Sequence, residues 1–81
     1  MKIGTVKGSV WATRKAPCLQ GQTFLVVEAD GCSIVAADQV GAGPGDLVLL
    51  ATGTTAARFC MEAPVDAAVV GILDQEKNQH A

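Results

Sequence analysis

The sequence predicts a mostly all-β protein, a small five-stranded Greek-key barrel with one short helix between the fourth and fifth strands. Short apolar runs, alternating or β-branched, recur along the chain, and glycine, proline and aspartate separate them. The length is a further observation, since 81 residues make a single domain. A chain of this size buries only a modest core of its own.

The first predicted strand covers residues 2–13, where side chains alternate between two faces. A period of two is typical of a strand, and small residues on one face indicate a bent, closely packed one. Trp11 lies on the more polar face, either as a half-buried aromatic or as an anchor in a subunit contact, where large aromatics are enriched. The face that carries the small residues is formed by Gly4, Val6, Gly8, Val10 and Ala12.

A hairpin is predicted next, with strands over residues 23–28 and 33–38. Residues 14–22 before it are predicted to be a loop because proline and glycine interrupt them. Asp30 and Gly31 both accept the positive φ values of a type I′ turn, so we expect a tight connection.

A glycine-rich loop, residues 41–45, leads into the fourth predicted strand over residues 46–51. Residues 47–50 are all apolar, which predicts a strand buried on both faces. A phosphate-binding loop is not favoured, because a strand follows, Pro44 has no N–H, and no lysine comes next. We expect either a loop that contacts another chain or a turn internal to one subunit.

The rest of the chain holds the predicted helix and the last strand. A threonine can cap a helix over residues 55–59, and the fifth strand is predicted over residues 67–74 with Gly71 at a bulge or a crossing. The barrel domain is then residues 1–74, followed by a polar tail, residues 75–81. Five strands and one small helix predict an OB-like barrel.

Composition argues against nucleic acid and membranes as partners. The net charge is −2 and the aromatic residues are Trp11, Phe24 and Phe59, whereas single-stranded nucleic acid needs a cationic groove with stacking aromatics. The alternative function, an OB-like binding module for single-stranded nucleic acid or a small ligand, is based on the predicted fold alone. No apolar run reaches the roughly 20 residues of a membrane helix, and no signal-peptide core is present, so a cytoplasmic protein is expected.

The residues also argue against catalysis, cofactors and metals. The sole histidine is His80, near the end of the chain, so no base is expected beside a nucleophile. The spacing of Glu62, Asp66 and Asp74 does not mark an acid–base pair. Three cysteines, Cys18, Cys32 and Cys60, with no C-x-x-C pair, favour reduced, partly buried thiols over zinc or disulfides.

Apolar residues are too many for the core that so short a chain can build. They make up 49% of the sequence. We therefore expect part of the apolar surface to be buried between subunits.

Four segments in the same order resemble the pentameric vertex proteins of bacterial microcompartment shells, the EutN/CcmL family. They are IGTVKGSV at residues 3–10, VGAGPGDLVLL at 40–50, GTTAAR at 53–58 and APVDAAVVGILD at 63–74. Relatives commonly have a longer connection at residues 28–33 and Ser-Ser-Ala-Arg in place of TTAAR.

The resemblance implies a homopentameric ring that caps the corners of a polyhedral shell, with hexameric and trimeric shell proteins as further partners. It implies a structural role in the bacterial microcompartment shell, without catalysis or a cofactor. The GAGPGD and APVD segments favour a catabolic compartment.

Candidate site residues follow from the ring. Small and hydroxyl side chains suit a narrow polar hole at the five-fold axis, and Asp66 is expected to pair with Arg58 or to cap a backbone turn. A Cβ at the loop glycines would clash or strain, which favours a contact there. The candidates for contact with a sister subunit or a shell tile are Gly41, Ala42, Gly43, Pro44, Gly45, Trp11, Arg14 and Lys15, and those for the axial opening are Gly53, Thr54, Thr55 and Ala56.

Overall fold

The structure, a computed structural model, describes residues 1–11, 15–53 and 66–74. Within them the chain forms a closed barrel of five strands in the order β1-β2-β3-β5-β4, which confirms the predicted barrel. Neighbouring strands are antiparallel except β3 and β5, which run parallel. The strands are β1 (Lys2–Val10), β2 (Phe24–Ala29), β3 (Cys32–Asp38), β4 (Leu47–Thr52) and β5 (Ala67–Ile72).

Strand boundaries differ from the sequence-based ones by at most three residues. β1 ends at Val10 and β5 ends at Ile72. The predicted loop before β2 contains a turn of 3-10 helix, Pro17–Leu19, closed by the Leu19 N–H donating to the Ala16 carbonyl at 2.9 Å. The helix predicted over residues 55–59 and the tail over 75–81 lie outside the described residues.

The β2–β3 hairpin has the predicted turn. Asp30 and Gly31 have φ values of 53° and 76°, as a type I′ turn requires. The register places Ala29 opposite Cys32 directly beside the turn. Lys2 on β1 reaches this end of the barrel, with its Nζ 3.4 Å from the Asp30 carboxylate.

The barrel interior is filled by aliphatic side chains from every strand. β4 alternates, so Val48 and Leu50 are fully buried while Leu47 and Leu49 face outward and are partly exposed. The prediction that residues 47–50 are buried on both faces is therefore wrong for the single chain. A closed barrel has only one interior. The largest fully buried side chains are Leu25, Leu50, Val6, Val27, Val48 and Val69.

A second, smaller apolar cluster lies on the outside of the barrel. Ala37, Ala51 and Ala68 are buried there against Leu19 of the 3-10 turn and Phe24 at the start of β2. The 3-10 turn is thus attached to the barrel by an apolar contact, and the alanines allow it to approach closely.

Two register shifts bend the sheet. On β1 the pairing with β2 shifts between Val6 and Gly8, which turns Gly8 to the outside although Val6 faces inward. The prediction that Gly8 and Val10 share the face of Val6 is therefore wrong, since one extra residue reverses the alternation, while Ala12 lies outside the described residues. On β5 the shift falls beside Gly71, where a bulge was predicted.

Candidate functional site

The glycine-rich loop contains a tight turn over residues 43–46. The Asp46 N–H donates to the Gly43 carbonyl at 3.0 Å, and Gly45 has φ +89°. Pro44 in the second position and a positive φ in the third define a type II turn. The Asp46 carboxylate accepts a further hydrogen bond from the Gly43 N–H at 2.8 Å.

A second carboxylate organises the start of the loop. Asp38, the last residue of β3, accepts hydrogen bonds at one oxygen from the N–H groups of Val40, Gly41 and Ala42, at 3.1, 3.1 and 3.3 Å. Gly41 has φ +80°, which glycine adopts without steric cost. Aspartate commonly forms such local bonds to the backbone that follows it.

Backbone bonds fasten the loop to the barrel at both ends. The Gly45 N–H donates to the Val6 carbonyl at 2.8 Å, and the Val6 N–H donates to the Asp46 carbonyl at 2.9 Å. At the other end the Gln39 N–H donates to the Val69 carbonyl at 3.1 Å. Ala42 packs against the main core. The loop is therefore a preformed surface feature, with Gly41, Pro44 and Gly45 exposed.

The subunit itself explains two of the three loop glycines. Gly41 and Gly45 require a positive φ, but a Cβ on either would enter open space, so there is strain and no clash. Gly43 lies outside the left-handed region, and a Cβ there would meet only the Asp46 Oδ2 at 4.0 Å. An internal turn thus accounts for Gly41 and Gly45 and leaves Gly43 without a reason inside one subunit.

Trp11 and Lys15 line a groove with residues at the end of β1 and around the start of β2. The Trp11 side chain is 88% exposed, so the half-buried alternative is wrong for the single chain and the contact alternative stays a prediction. The amide of Gln39, just before the glycine-rich loop, reaches Gln22 of this groove at 3.5 Å. Arg14 lies outside the described residues. The groove is lined by Ser9, Val10, Trp11, Lys15, Gln22, Thr23 and Phe24.

Gly53, the first of the residues predicted to line the axis, is joined by a backbone hydrogen bond to Asp66, just before β5. The Gly53 N–H donates to the Asp66 carbonyl at 2.7 Å, and Gly53 has φ +69°. Thr54, Thr55, Ala56 and Arg58 lie outside the described residues, so the axial opening and the Arg58–Asp66 ion pair stay predictions.

The His, Cys, Asp and Glu side chains are not clustered in the described part of the chain. It contains no group of three or more His, Cys, Asp or Glu residues able to hold a metal, and none of its buried side chains is polar or charged. Cys18 and Cys32 are free and exposed, so the expectation of partly buried thiols is wrong for both. Cys18 lies in the surface 3-10 turn and Cys32 beside the hairpin turn. No helix across residues 1–11, 15–53 and 66–74 is long and apolar enough to span a membrane.

Sequence relatives cover almost the whole barrel. The family model described as ethanolamine utilisation protein EutN/carboxysome matches residues 1–74. The chain is 47% identical to the carboxysome shell vertex protein CcmL of Synechococcus elongatus, over 91% of this chain and 84% of that protein. It is 42% identical to the bacterial microcompartment shell vertex protein PduN of Salmonella typhimurium, over 91% and 96% of the two chains.

Solved structures share the fold as well. The pentameric microcompartment shell protein GrpN of Rhodospirillum rubrum is 39% identical, with a TM-score of 0.85 over 93% of this chain and 95% of that one. The pentameric shell protein MSM0273 of the RMM microcompartment is 35% identical, with a TM-score of 0.85 over 94% and 93%. The barrel fold is thus that of the microcompartment shell vertex proteins. The chain belongs to the EutN/CcmL family.

Proposed function

We propose that this protein is a structural shell protein whose homopentamers cap the vertices of a polyhedral bacterial microcompartment. The observation that carries the proposal is the similarity, over more than nine-tenths of the chain, to solved pentameric shell proteins. Microcompartment shells lie in the cytoplasm, and the protein acts there as part of the shell.

The surface of the single barrel supports assembly. Ile3 is 58% exposed and Val35 is 52% exposed, although both lie within strands. Ile3 adjoins the partly exposed Leu49, Val35 adjoins the partly exposed Val26, and adjoining exposed apolar side chains mark interaction sites. A ring of subunits covers them without any change in the fold of the barrel.

A role without catalysis is consistent with the chemistry of the surface. General acid–base and nucleophilic catalysis rely on titratable groups held in defined, partly desolvated positions. Among the described residues the two half-buried aspartates are Asp38 and Asp46, and their carboxylates accept backbone hydrogen bonds that shape a loop. The role of these carboxylates is to hold the loop backbone. We propose no cofactor for the protein.

Hexameric and trimeric shell proteins are the further partners that we propose. The glycine-rich loop is held by hydrogen bonds to Asp38 and Asp46, and its exposed residues Gly41, Pro44 and Gly45 offer backbone rather than bulky side chains to a neighbouring tile. Arg14 and Lys15 add positive charge to the same proposed contacts. Nucleic acid is not proposed as a partner because the net charge is −2 and the three aromatic residues are scattered.

The native mass tests the assembly directly. Each chain has a mass of 8.3 kDa, and light scattering after size exclusion should report five of them in one particle. A well-folded single subunit that persists at high concentration would overturn the proposal. Binding to a labelled single-stranded oligonucleotide at low salt, weakening as salt is added, would favour the alternative OB-like binding module.

The enclosed pathway has its own test. From the GAGPGD and APVD segments we propose a catabolic compartment, although the relatives named above include a carboxysome protein. Genes beside this one should encode enzymes that degrade a small organic substrate. A carbon-fixing carboxylase in that position would overturn this part of the proposal.

A further inference from the structure

Two rows of outward-facing residues cross the barrel on either side of β1. The first row, which we call the β2 face, consists of Gly8, Val26 and Val35, which are register partners across β1, β2 and β3. The second row, the β4 face, consists of Ile3, Leu49 and Gly71. Each row joins two aliphatic side chains to one strand glycine and contains no charged residue.

Burial shows that both rows face away from the core. Beside Val26 on β2, Leu25 and Val27 are buried in the barrel, so Val26 must face out. The same alternation on β4 buries Val48 and Leu50 and turns Leu49 outward. The rows are therefore uncovered apolar surface.

The glycines in these rows are not required by the subunit. Neither Gly8 nor Gly71 has a positive φ. A Cβ on Gly8 would meet nothing within 4 Å, and a Cβ on Gly71 would meet only the Leu49 Cβ, at an ordinary 3.6 Å. Glycine within a strand costs stability, and it commonly marks a place where another backbone approaches closely. Each row thus carries an independent sign of a close neighbour.

A ring places a particular demand on its subunits. A cyclic assembly with more than two members joins head to tail, so every subunit presents two different patches that fit each other. The barrel has two such patches. They are centred on β2 and on β4, the two strands that flank β1 in the five-stranded barrel. Because the patches are not diametrically opposite, successive contacts bend into a ring.

From these observations we propose that the β2 face of one subunit packs against the β4 face of the next subunit in the ring. The occupant of each face is a second copy of this chain. This assignment rests on the proposed pentamer and adds to it the surfaces that form it. The absence of charge from both rows fits the core of a subunit interface, where charged residues are depleted.

Two blocking variants and their mixture test the pairing. Val35→Arg blocks the β2 face, and Ile3→Arg blocks the β4 face. Both side chains are exposed in the single chain, so each variant should keep the strand circular-dichroism spectrum of the unmodified protein. Analytical ultracentrifugation should find each variant alone as a monomer. An equal mixture should form a heterodimer and nothing larger, because one intact β2 face and one intact β4 face remain.

Gln20→Arg is the matched control, since this exposed residue lies in the 3-10 turn region and on neither face. It should stay pentameric. If Val35→Arg or Ile3→Arg also stayed pentameric, or if the mixture stayed monomeric, the pairing would be wrong while the pentamer itself stood. An unmodified protein that is monomeric would instead refute the proposed function.

The glycines provide a second measurement. Gly8→Val places a branched side chain where the subunit has open space, so the barrel should fold as before. Loss of the pentamer with an intact spectrum is the expected result. A pentamer of unchanged stability on dilution would show that no neighbour approaches Gly8 and would overturn the β2 face.

Discussion

The Asp46 carboxylate accepts a hydrogen bond from the Gly43 N–H at 2.8 Å, while the Asp46 N–H donates to the Gly43 carbonyl at 3.0 Å. Two hydrogen bonds thus join residues that are three apart in sequence, and they satisfy both the N–H and the carbonyl of Gly43. The Val6 N–H then donates to the Asp46 carbonyl, which couples the turn to β1. A loop of small residues obtains its shape from this pair.

Removing the carboxylate should loosen the loop. Asp46→Ala leaves the Gly43 N–H without its acceptor in a partly buried position, and a lost bond to a charged group predicts a loss of about 1–2 kcal/mol in the free energy of unfolding. Urea unfolding at one fixed protein concentration measures it. Asp30→Asn is the control, because asparagine also accepts the positive φ of this position and the exposed ion pair with Lys2 that it removes is worth at most about 1 kcal/mol. Equal losses for the two variants would contradict the prediction.

Substitutions at two of the loop glycines should affect folding and assembly differently. Gly45→Val forces a β-branched residue into a positive φ and should destabilise the subunit by about 1–2 kcal/mol. Gly43→Val meets no such strain, so the subunit should fold, but the ring should be lost if this residue lies at a contact. Light scattering and circular dichroism report the two effects. A pentamer of Gly43→Val would remove Gly43 from the contacts.

Gly4 should be intolerant for a reason inside the barrel. A Cβ there would lie 2.6 Å from the Val27 Cγ1 and 2.8 Å from the Glu28 carbonyl oxygen, and the backbone atom has little room to yield. Gly4→Ala should therefore cost about 1–3 kcal/mol through overpacking. Thermal unfolding at matched concentration measures the loss. Lys7→Ala, an exposed change on the same strand, should leave the melting temperature almost unchanged.

The predicted Arg58–Asp66 ion pair can be tested without removing the backbone hydrogen bond between Gly53 and Asp66. Asp66→Asn keeps the backbone carbonyl that accepts the Gly53 N–H at 2.7 Å. A double-mutant cycle with Arg58→Met should give a coupling energy of about 0.2–1 kcal/mol, as an exposed ion pair does. A coupling energy of zero within error would show that the two charges do not interact.

The axial opening gives a crystallographic prediction. Thr54→Trp or Thr55→Trp should narrow the hole at the five-fold axis, because a bulky side chain replaces a hydroxyl side chain there. A crystal structure of the pentameric variant measures the opening. Gln20→Trp serves as the matched change away from the predicted axis. An opening of unaltered width in both threonine variants would place those residues elsewhere.

Local chemistry made much of the fold predictable. The Asp30-Gly31 turn depends on two adjacent residues, and both positive φ values follow from their types. Strand positions follow from short apolar runs between turn residues. The pair Pro44 and Gly45 likewise predicts a turn, since a type II turn favours proline and then glycine. The bracing roles of Asp38 and Asp46 were missed, although an aspartate at each end of a glycine-rich loop is a readable signal.

Side-chain direction was predictable only up to the first irregularity. The period of two placed Val6 and Gly8 on one face, but the register shift between them turns Gly8 outward. A bulge is set by how β1 must bend to pair with both β2 and β4, and the alternating pattern does not encode that. The apolar run of β4 was misread for a related reason, since barrel closure decides which side of Leu49 is interior.

By itself the sequence determined the strands, the hairpin turn, the glycine-rich loop and the family resemblance, because each depends on residues that are neighbours along the chain. Only the tertiary structure decided that Ile3, Leu49 and Gly71 form one row while Gly8, Val26 and Val35 form another. Those rows join residues from three strands each. Their members become neighbours only when backbone hydrogen bonding sets the register and the sheet closes.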